Sequence, residues 1–176
     1  MTVVVPADPA ETAAAMRWAA ATEGPAFIRV SRMSVPEIFD AETYAFVPGR
    51  ATTVREGDDV TIISNGTVLW RALAAAQQRE AEGVSARVVS MPTVKPLDVD
   101  AVVAAARETR GIVTAEESTT AGGLGGAVAE TVVAHHPTRV RILGFESFQP
   151  TGSAGFLLDR AGMSPDGIAE AARSLL

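Results

Sequence analysis

Two adjacent carboxylates, Glu116 and Glu117, stand at the end of an apolar, β-branched run that begins at Ile112. Paired acids can move a proton or hold a cation. In a strand, however, successive side chains point to opposite faces, so neighbours do not converge on one proton or one metal. The plainer alternative is that one acid caps or pairs with an adjoining element while the other is solvated. A short polar turn later, glycines cluster at Gly122, Gly123, Gly125 and Gly126. Such a cluster can aim N–H groups at an anion. It lacks the GxGxxG spacing, since Val128 stands where the third glycine belongs, and it lacks the Lys-Ser/Thr ending of a phosphate loop. Close packing of a helix on a sheet or of one subunit on another, which a residue without Cβ permits, fits the letters better.

Other candidates are weaker. Arg29 and Arg32 flank the end of a predicted strand. Arg32 falls just beyond it, where a guanidinium could grip a phosphate or carboxylate as a fork; taken alone, such a residue more often forms a surface or linker ion pair. Asn65-Gly66-Thr67 lies at another strand end and could touch a small ligand, although turn chemistry accounts for it unaided. His135 and His136 sit near a helix C-terminus, where the helix dipole favours a cation. No third ligand stands at metal spacing, and no Ser/His/Asp arrangement suggests a nucleophile.

The elements that carry these residues alternate. Met1 to Val5 reads as a strand. Asp8-Pro9-Ala10-Glu11 reads as a helix start, with Asp8 as cap and Glu11 as its capping-box partner. Phe27 to Val30 is the next strand, so a right-handed parallel unit opens the chain. Two strands cannot bury both faces of a sheet, so this opening is expected to be the tail of a larger domain. From Ser31 to about Arg50 the periodicity lapses and Pro36 and Pro48 appear, as in a linker. Strands are then expected at Ala51–Arg55, Val60–Ile63, Ala86–Met91, Gly111–Glu116 and Val140–Leu143. Helices are expected after Thr67, Asp98, Gly123 and Ser164. Alternating strands and helices imply a largely parallel sheet covered on both faces.

Composition bounds the function. The 176 residues are 47% hydrophobic and 20% charged, as in folded proteins. With 5% aromatics, Val, Ile, Leu and Ala must fill the core. A net charge of −6, with a single lysine at Lys95, argues against a nucleic-acid partner. The absence of cysteine excludes disulfides and thiolate chemistry and suits the cytoplasm. No apolar run approaches the roughly 20 residues that span a bilayer.

Seven stretches, ordered along nearly the whole chain, match one family: VVVPADPAET, GPAFIRVSR, VREGDDVTIISNGTVL, ARVVSMPTVKPLD, IVTAEES, GGLGGAVAE and GFESFQPTGSAGFLLDRAGM. The chain resembles the C-terminal part of transketolase-like, thiamine diphosphate-dependent enzymes, above all those encoded as separate N- and C-terminal chains. The resemblance implies a three-layer α/β/α fold with a mostly parallel, five-stranded mixed sheet, one edge strand antiparallel, preceded by a short strand–helix–strand fragment. Residues 1–32 would end a pyrimidine-binding domain, 33–50 would be a linker, and 51–176 the transketolase C-terminal domain. The implied role is support of two-carbon ketol transfer between sugar phosphates, in a homodimer completed by an N-terminal subunit. Thiamine diphosphate and magnesium would be bound by that assembly and not by this chain alone. By the same resemblance Arg32, in Val30-Ser31-Arg32, would bind the substrate phosphate. Glu116-Glu117-Ser118 departs from the family's usual Glu-Glu-His. A regulatory or small-ligand-binding module is the alternative, as is a part of a 2-oxoacid dehydrogenase beta subunit or of a 1-deoxyxylulose-5-phosphate synthase.

Overall fold

Asp8 joins the first strand to the first helix and ties both to the segment that follows them. In the computed structural model, which describes residues 1–176, strand β1 (Thr2–Val4) leads to helix α1 (Pro9–Ala21). Asp8 Oδ1 accepts from the Glu11 N–H at 2.8 Å, satisfying one of the free donors of the first turn. Pro9 follows, where a missing N–H costs nothing. Glu11 departs from the capping-box expectation. Its Oε2 accepts from the Ala7 N–H, one residue before the cap, at 2.7 Å. Its Oε1 accepts from the Tyr44 hydroxyl at 2.6 Å. Strand β2 (Ala26–Ile28) pairs parallel with β1.

The crossing segment has no regular structure but is held firmly. The N–H groups of Ile38 and Phe39 both donate to Asp8 Oδ2 at 2.8 Å. The Phe46 ring packs on Trp18 of α1, with centroids 5.5 Å apart. Met33, Ile38 and Phe39 rest against the main core.

Beyond it come β3 (Thr52–Arg55), β4 (Val60–Ser64), a 3₁₀ turn (Gly66–Val68), α2 (Leu69–Glu80), β5 (Ala86–Ser90), β6 (Thr93–Lys95) and α3 (Val99–Glu108). The chain continues through β7 (Ile112–Thr119), α4 (Leu124–His135), β8 (Val140–Phe145), α5 (Ala154–Arg160) and α6 (Pro165–Arg173). The main sheet has the order β3-β5-β4-β7-β8, parallel throughout except for β3 at its edge. Alternation divides its side chains. Val60, Ile62, Val88, Val113 and Ala115 face α2 and α6, whereas Ile63, Val89 and Ile112 face α3 and α4. Both faces are therefore covered, and the architecture is three-layer α/β/α. Each fully buried branched side chain contributes about 1.5–3 kcal/mol on leaving water.

Three details differ from the sequence expectation. β6 joins the other sheet, pairing antiparallel with β1 to give the order β2-β1-β6. Three residues between Pro92 and Pro96 offer no periodicity by which to see it. α5 is only seven residues long, and is set by Ser153 capping the Phe156 N–H rather than by an apolar stripe. The Thr67 hydroxyl does not cap a helix; it bonds elsewhere, as described below. No helix is long and apolar enough to cross a membrane.

Topology fixes where a ligand can sit. From β4 the chain crosses by α2 to β5, on one side of the sheet. From neighbouring β7 it crosses by α4 to β8, on the other. Adjacent strands whose connections part in opposite directions leave a crevice at their carboxyl ends.

Glu11 gives the fold a measurable pH dependence. It is fully buried, and burial pushes its carboxyl up to about 7, against the bonds from Tyr44 and Ala7 that pull it down. A folded-state value above the unfolded one favours the protonated native state. The stability so contributed is complete below about pH 4.5, falls as pH rises towards 7, and is gone above it, a total of about 3 kcal/mol. Thermal melts of wild type should therefore fall between pH 5 and 8. Glu11→Gln, whose amide oxygen can accept from the Ala7 N–H and whose NH2 can donate to the Tyr44 oxygen, removes the charge and should flatten that slope and melt higher than wild type at pH 8.

Candidate functional site

The crevice between β4 and β7 gathers most of the polar residues singled out by sequence. β7 carries a bulge there. Ala115 pairs with Leu143 and Thr119 with Phe145, so Glu116-Glu117-Ser118 lies in the irregular stretch. Bulges are common next to binding sites, and alternation still sends the two acids to opposite faces.

Glu116 turns towards α4 and is buried. Its Oε1 accepts from the Gly125 N–H at 3.1 Å, supplying the cap that Gly123, at the helix N-cap, cannot. Burial raises its pKa, while the Gly125 N–H, the Arg29 charge and the Leu124 N–H hold it down. The glycines follow from this contact. A Cβ on Gly123 would lie 2.3 Å from Glu116 Oε1, and one on Gly125 would lie 2.4 Å from Ile142 Cγ2 and 2.9 Å from Thr114 Oγ1. The first makes room for the carboxylate and the second for the sheet. Gly122, in the turn before them, adopts a positive φ of 78° and has nothing near its Cβ position.

Glu117 turns the other way. Its Oε2 accepts from the Thr67 hydroxyl at 2.5 Å, and its main-chain carbonyl accepts from Arg29 Nη1. Together with Val5, Pro6, Val30, Ser31, Arg32 and Gly66, these three residues line a cleft of about 270 Å³. The cleft lies where the β1–β2 unit meets the main sheet, a junction closed by the Gly66 N–H donating to the Val5 carbonyl at 3.0 Å. Arg32 is exposed at its wall. Neither Arg29 nor Arg32 takes part in a side-chain ion pair. Two guanidinium groups against one carboxylate leave the cleft net positive, in a chain that is acidic as a whole.

Glu117, Arg32, Gly66 and Thr67, which the sequence places at separate strand ends, share one cleft. Arg29 was legible only as a strand-end cation. Its long-range bond to a carbonyl of β7 has no local signal. Asn65 adds an oddity: it is fully buried, and neither its amide oxygen nor its nitrogen finds a partner within the chain. His135 and His136 lie at the far end of α4, away from the crevice, and no group of three or more His, Asp or Glu side chains is placed to hold a metal ion.

Comparison with known proteins adds the context. The family described as "Transketolase, C-terminal domain" matches residues 49–168. An apulose-4-phosphate transketolase subunit of Phocaeicola vulgatus is 34% identical over 98% of this chain and 55% of its own length. The 6-deoxy-6-sulfo-D-fructose transketolase subunit SqwH of a Clostridium species is 37% identical over 99% of this chain and 54% of its own length. A solved structure titled "Split gene transketolase, inactive beta4 tetramer" aligns with all of this chain and 57% of its own, at a TM-score of 0.92 and 42% identity. The chain spans about half the length of these relatives.

The packing account of the glycines is directly testable. Gly125→Ala should destabilise the fold by about 1–3 kcal/mol, the range for overpacking. Gly126→Ala, whose Cβ would meet nothing within 4 Å, should be neutral or up to about 1 kcal/mol stabilising, since alanine is the better helix former. Urea unfolding of the two variants side by side checks the contrast.

Proposed function

The chain belongs to the transketolase family, and from that premise we propose that it serves as the C-terminal part of an enzyme moving a two-carbon ketol unit between sugar phosphates. The observation that carries this reading is the net-positive cleft with Arg32 exposed and unpaired at its wall. A planar, permanently charged guanidinium with free N–H groups is suited to a phosphate monoester. Arg29, tied to the Glu117 carbonyl, fixes the strand end from which Ser31 and Arg32 project.

Thiamine diphosphate, when bound in such an enzyme, supplies the carbanion that accepts and donates the ketol unit. We assign that coenzyme and its magnesium to the assembled enzyme and not to this chain alone. No cluster of acids and histidines is available for a cation. The buried carboxylates Glu11 and Glu116 are engaged by backbone N–H groups, and Glu11 also by the Tyr44 hydroxyl. These observations support a coenzyme site on another polypeptide segment, for which a partner chain is the natural supplier. Met1, Met16, Phe27 and Val30, large apolar side chains exposed on the β1–α1–β2 unit and the strand end beyond it, are suited to contact with such a partner or with a second copy of this chain. The absence of cysteine suits work in the cytoplasm.

A small-ligand-binding, regulatory role is the second reading. The crevice at the topological switch point and the unpaired, buried Asn65 amide favour it.

Reconstitution separates the two. Mixed with the coenzyme-bearing partner, the chain should restore ketol transfer that neither component has alone. Undiminished activity of the partner alone would defeat the subunit reading. In the reconstituted enzyme, Arg32→Ala should raise KM for a phosphorylated acceptor by about 10- to 100-fold, the worth of one charge-assisted hydrogen bond. It should leave the rate with an unphosphorylated acceptor nearly unchanged.

A further inference from the structure

The cleft contains a group that a site built only for phosphate would not include. Glu117 lines it alongside Arg32, and a carboxylate repels any second anion brought close. Nor is Glu117 there simply to neutralise an arginine: no side-chain ion pair joins it to Arg29 or Arg32. Arg29 reaches its main-chain carbonyl instead. Its carboxylate is fixed on one side only, where Oε2 accepts a hydrogen bond from the Thr67 hydroxyl at 2.5 Å. Oε1 makes no hydrogen bond within the chain, and the residue is half-buried at the cleft wall. A fixed carboxylate with an unused oxygen is an acceptor for O–H donors.

We propose that Glu117, oriented by Thr67, is a specificity-determining residue that accepts a hydrogen bond from a hydroxyl of a sugar phosphate whose phosphate rests on Arg32. The inference builds on Arg32 as the phosphate ligand and adds what the cleft selects beyond phosphate. A polyol phosphate presents one anion to the guanidinium groups and neutral donors to the acid. Inorganic phosphate, which near neutral pH carries one or two O–H groups, can offer them to Glu117 only by bringing its own charge against the carboxylate, so Glu117 opposes it. Thr67 acts as a positioning residue, through the acid. Alternation along β7 carries Glu117 to the cleft while Glu116, on the opposite face, caps α4.

The test is titration calorimetry of the full chain with ribose 5-phosphate, ribose and inorganic phosphate, in wild type and in Glu117→Gln, Thr67→Val and Arg32→Ala. Wild type should prefer ribose 5-phosphate to inorganic phosphate. Glu117→Gln, which keeps the shape and removes the charge, should cut that preference roughly tenfold or more, chiefly by binding inorganic phosphate better. Thr67→Val should act in the same direction and less strongly, which guards against a fold defect peculiar to the Glu117 variant. Arg32→Ala should weaken both phosphorylated ligands in parallel and leave their ratio unchanged. A ratio unmoved by Glu117→Gln, or a wild type that binds none of the three ligands or binds the two phosphates equally, overturns the proposal. Should Arg32→Ala bind like wild type while Glu117→Gln still shifts the ratio, the phosphate assignment fails and the role of Glu117 as discriminator survives.

Discussion

The arrangement depends on one topological constraint: the connections after β4 and β7 run to opposite sides of the sheet. Two helices that part in this way cannot cover the strand ends between them, and main-chain groups there must be satisfied by other means. The amino-terminal unit meets part of that need. Val5 donates to the Pro92 carbonyl and accepts from Gly66, and Arg29 reaches the carbonyl of Glu117. A second structural unit is thereby seated on the crevice, and the cleft is the space left between them. Its charge comes from the unit on top and its acid from the sheet below.

Three buried acids, Asp8, Glu11 and Glu116, perform jobs usually left to local caps and turns. Asp8 receives N–H groups from Glu11, Ile38 and Phe39, and so fastens a segment without secondary structure. Glu116 caps a helix whose own cap position is a glycine. Glu11 sits between Ala7 and Tyr44 with little solvent, and burial together with the Glu11 carboxylate pushes the Tyr44 hydroxyl up. Carboxylates that accept several N–H bonds tolerate burial well; Glu11, with a single N–H and a hydroxyl, tolerates it less.

The layers and the parallel sheet were legible in the sequence because they rest on patterns a few residues long: apolar β-branched runs in β4 and β5, a cap at Asp98, a proline after Ser164; the antiparallel edge followed only from the family resemblance. The family resemblance supplied the order of the parts. Illegible features were those made by distant residues. Nothing near Glu11 announces Tyr44, nothing near Arg29 announces Glu117, and Thr67 reads as a cap until β7 is seen beside it. Sequence placed the paired acids of β7 on opposite faces through simple alternation. Which of them meets solvent depends on the glycines of the next helix, because only a position without Cβ at residue 123 leaves space for the carboxylate of residue 116.

The pairing of β6 with β1 has a consequence for how the polypeptide can be divided. Residues 93–95 complete a sheet that residues 2–4 begin, so a cut in the crossing segment would leave each piece with a raw strand edge. Such edges invite association with foreign strands. The two regions thus share main-chain hydrogen bonds, and loosening of the small sheet reaches the loop after β5.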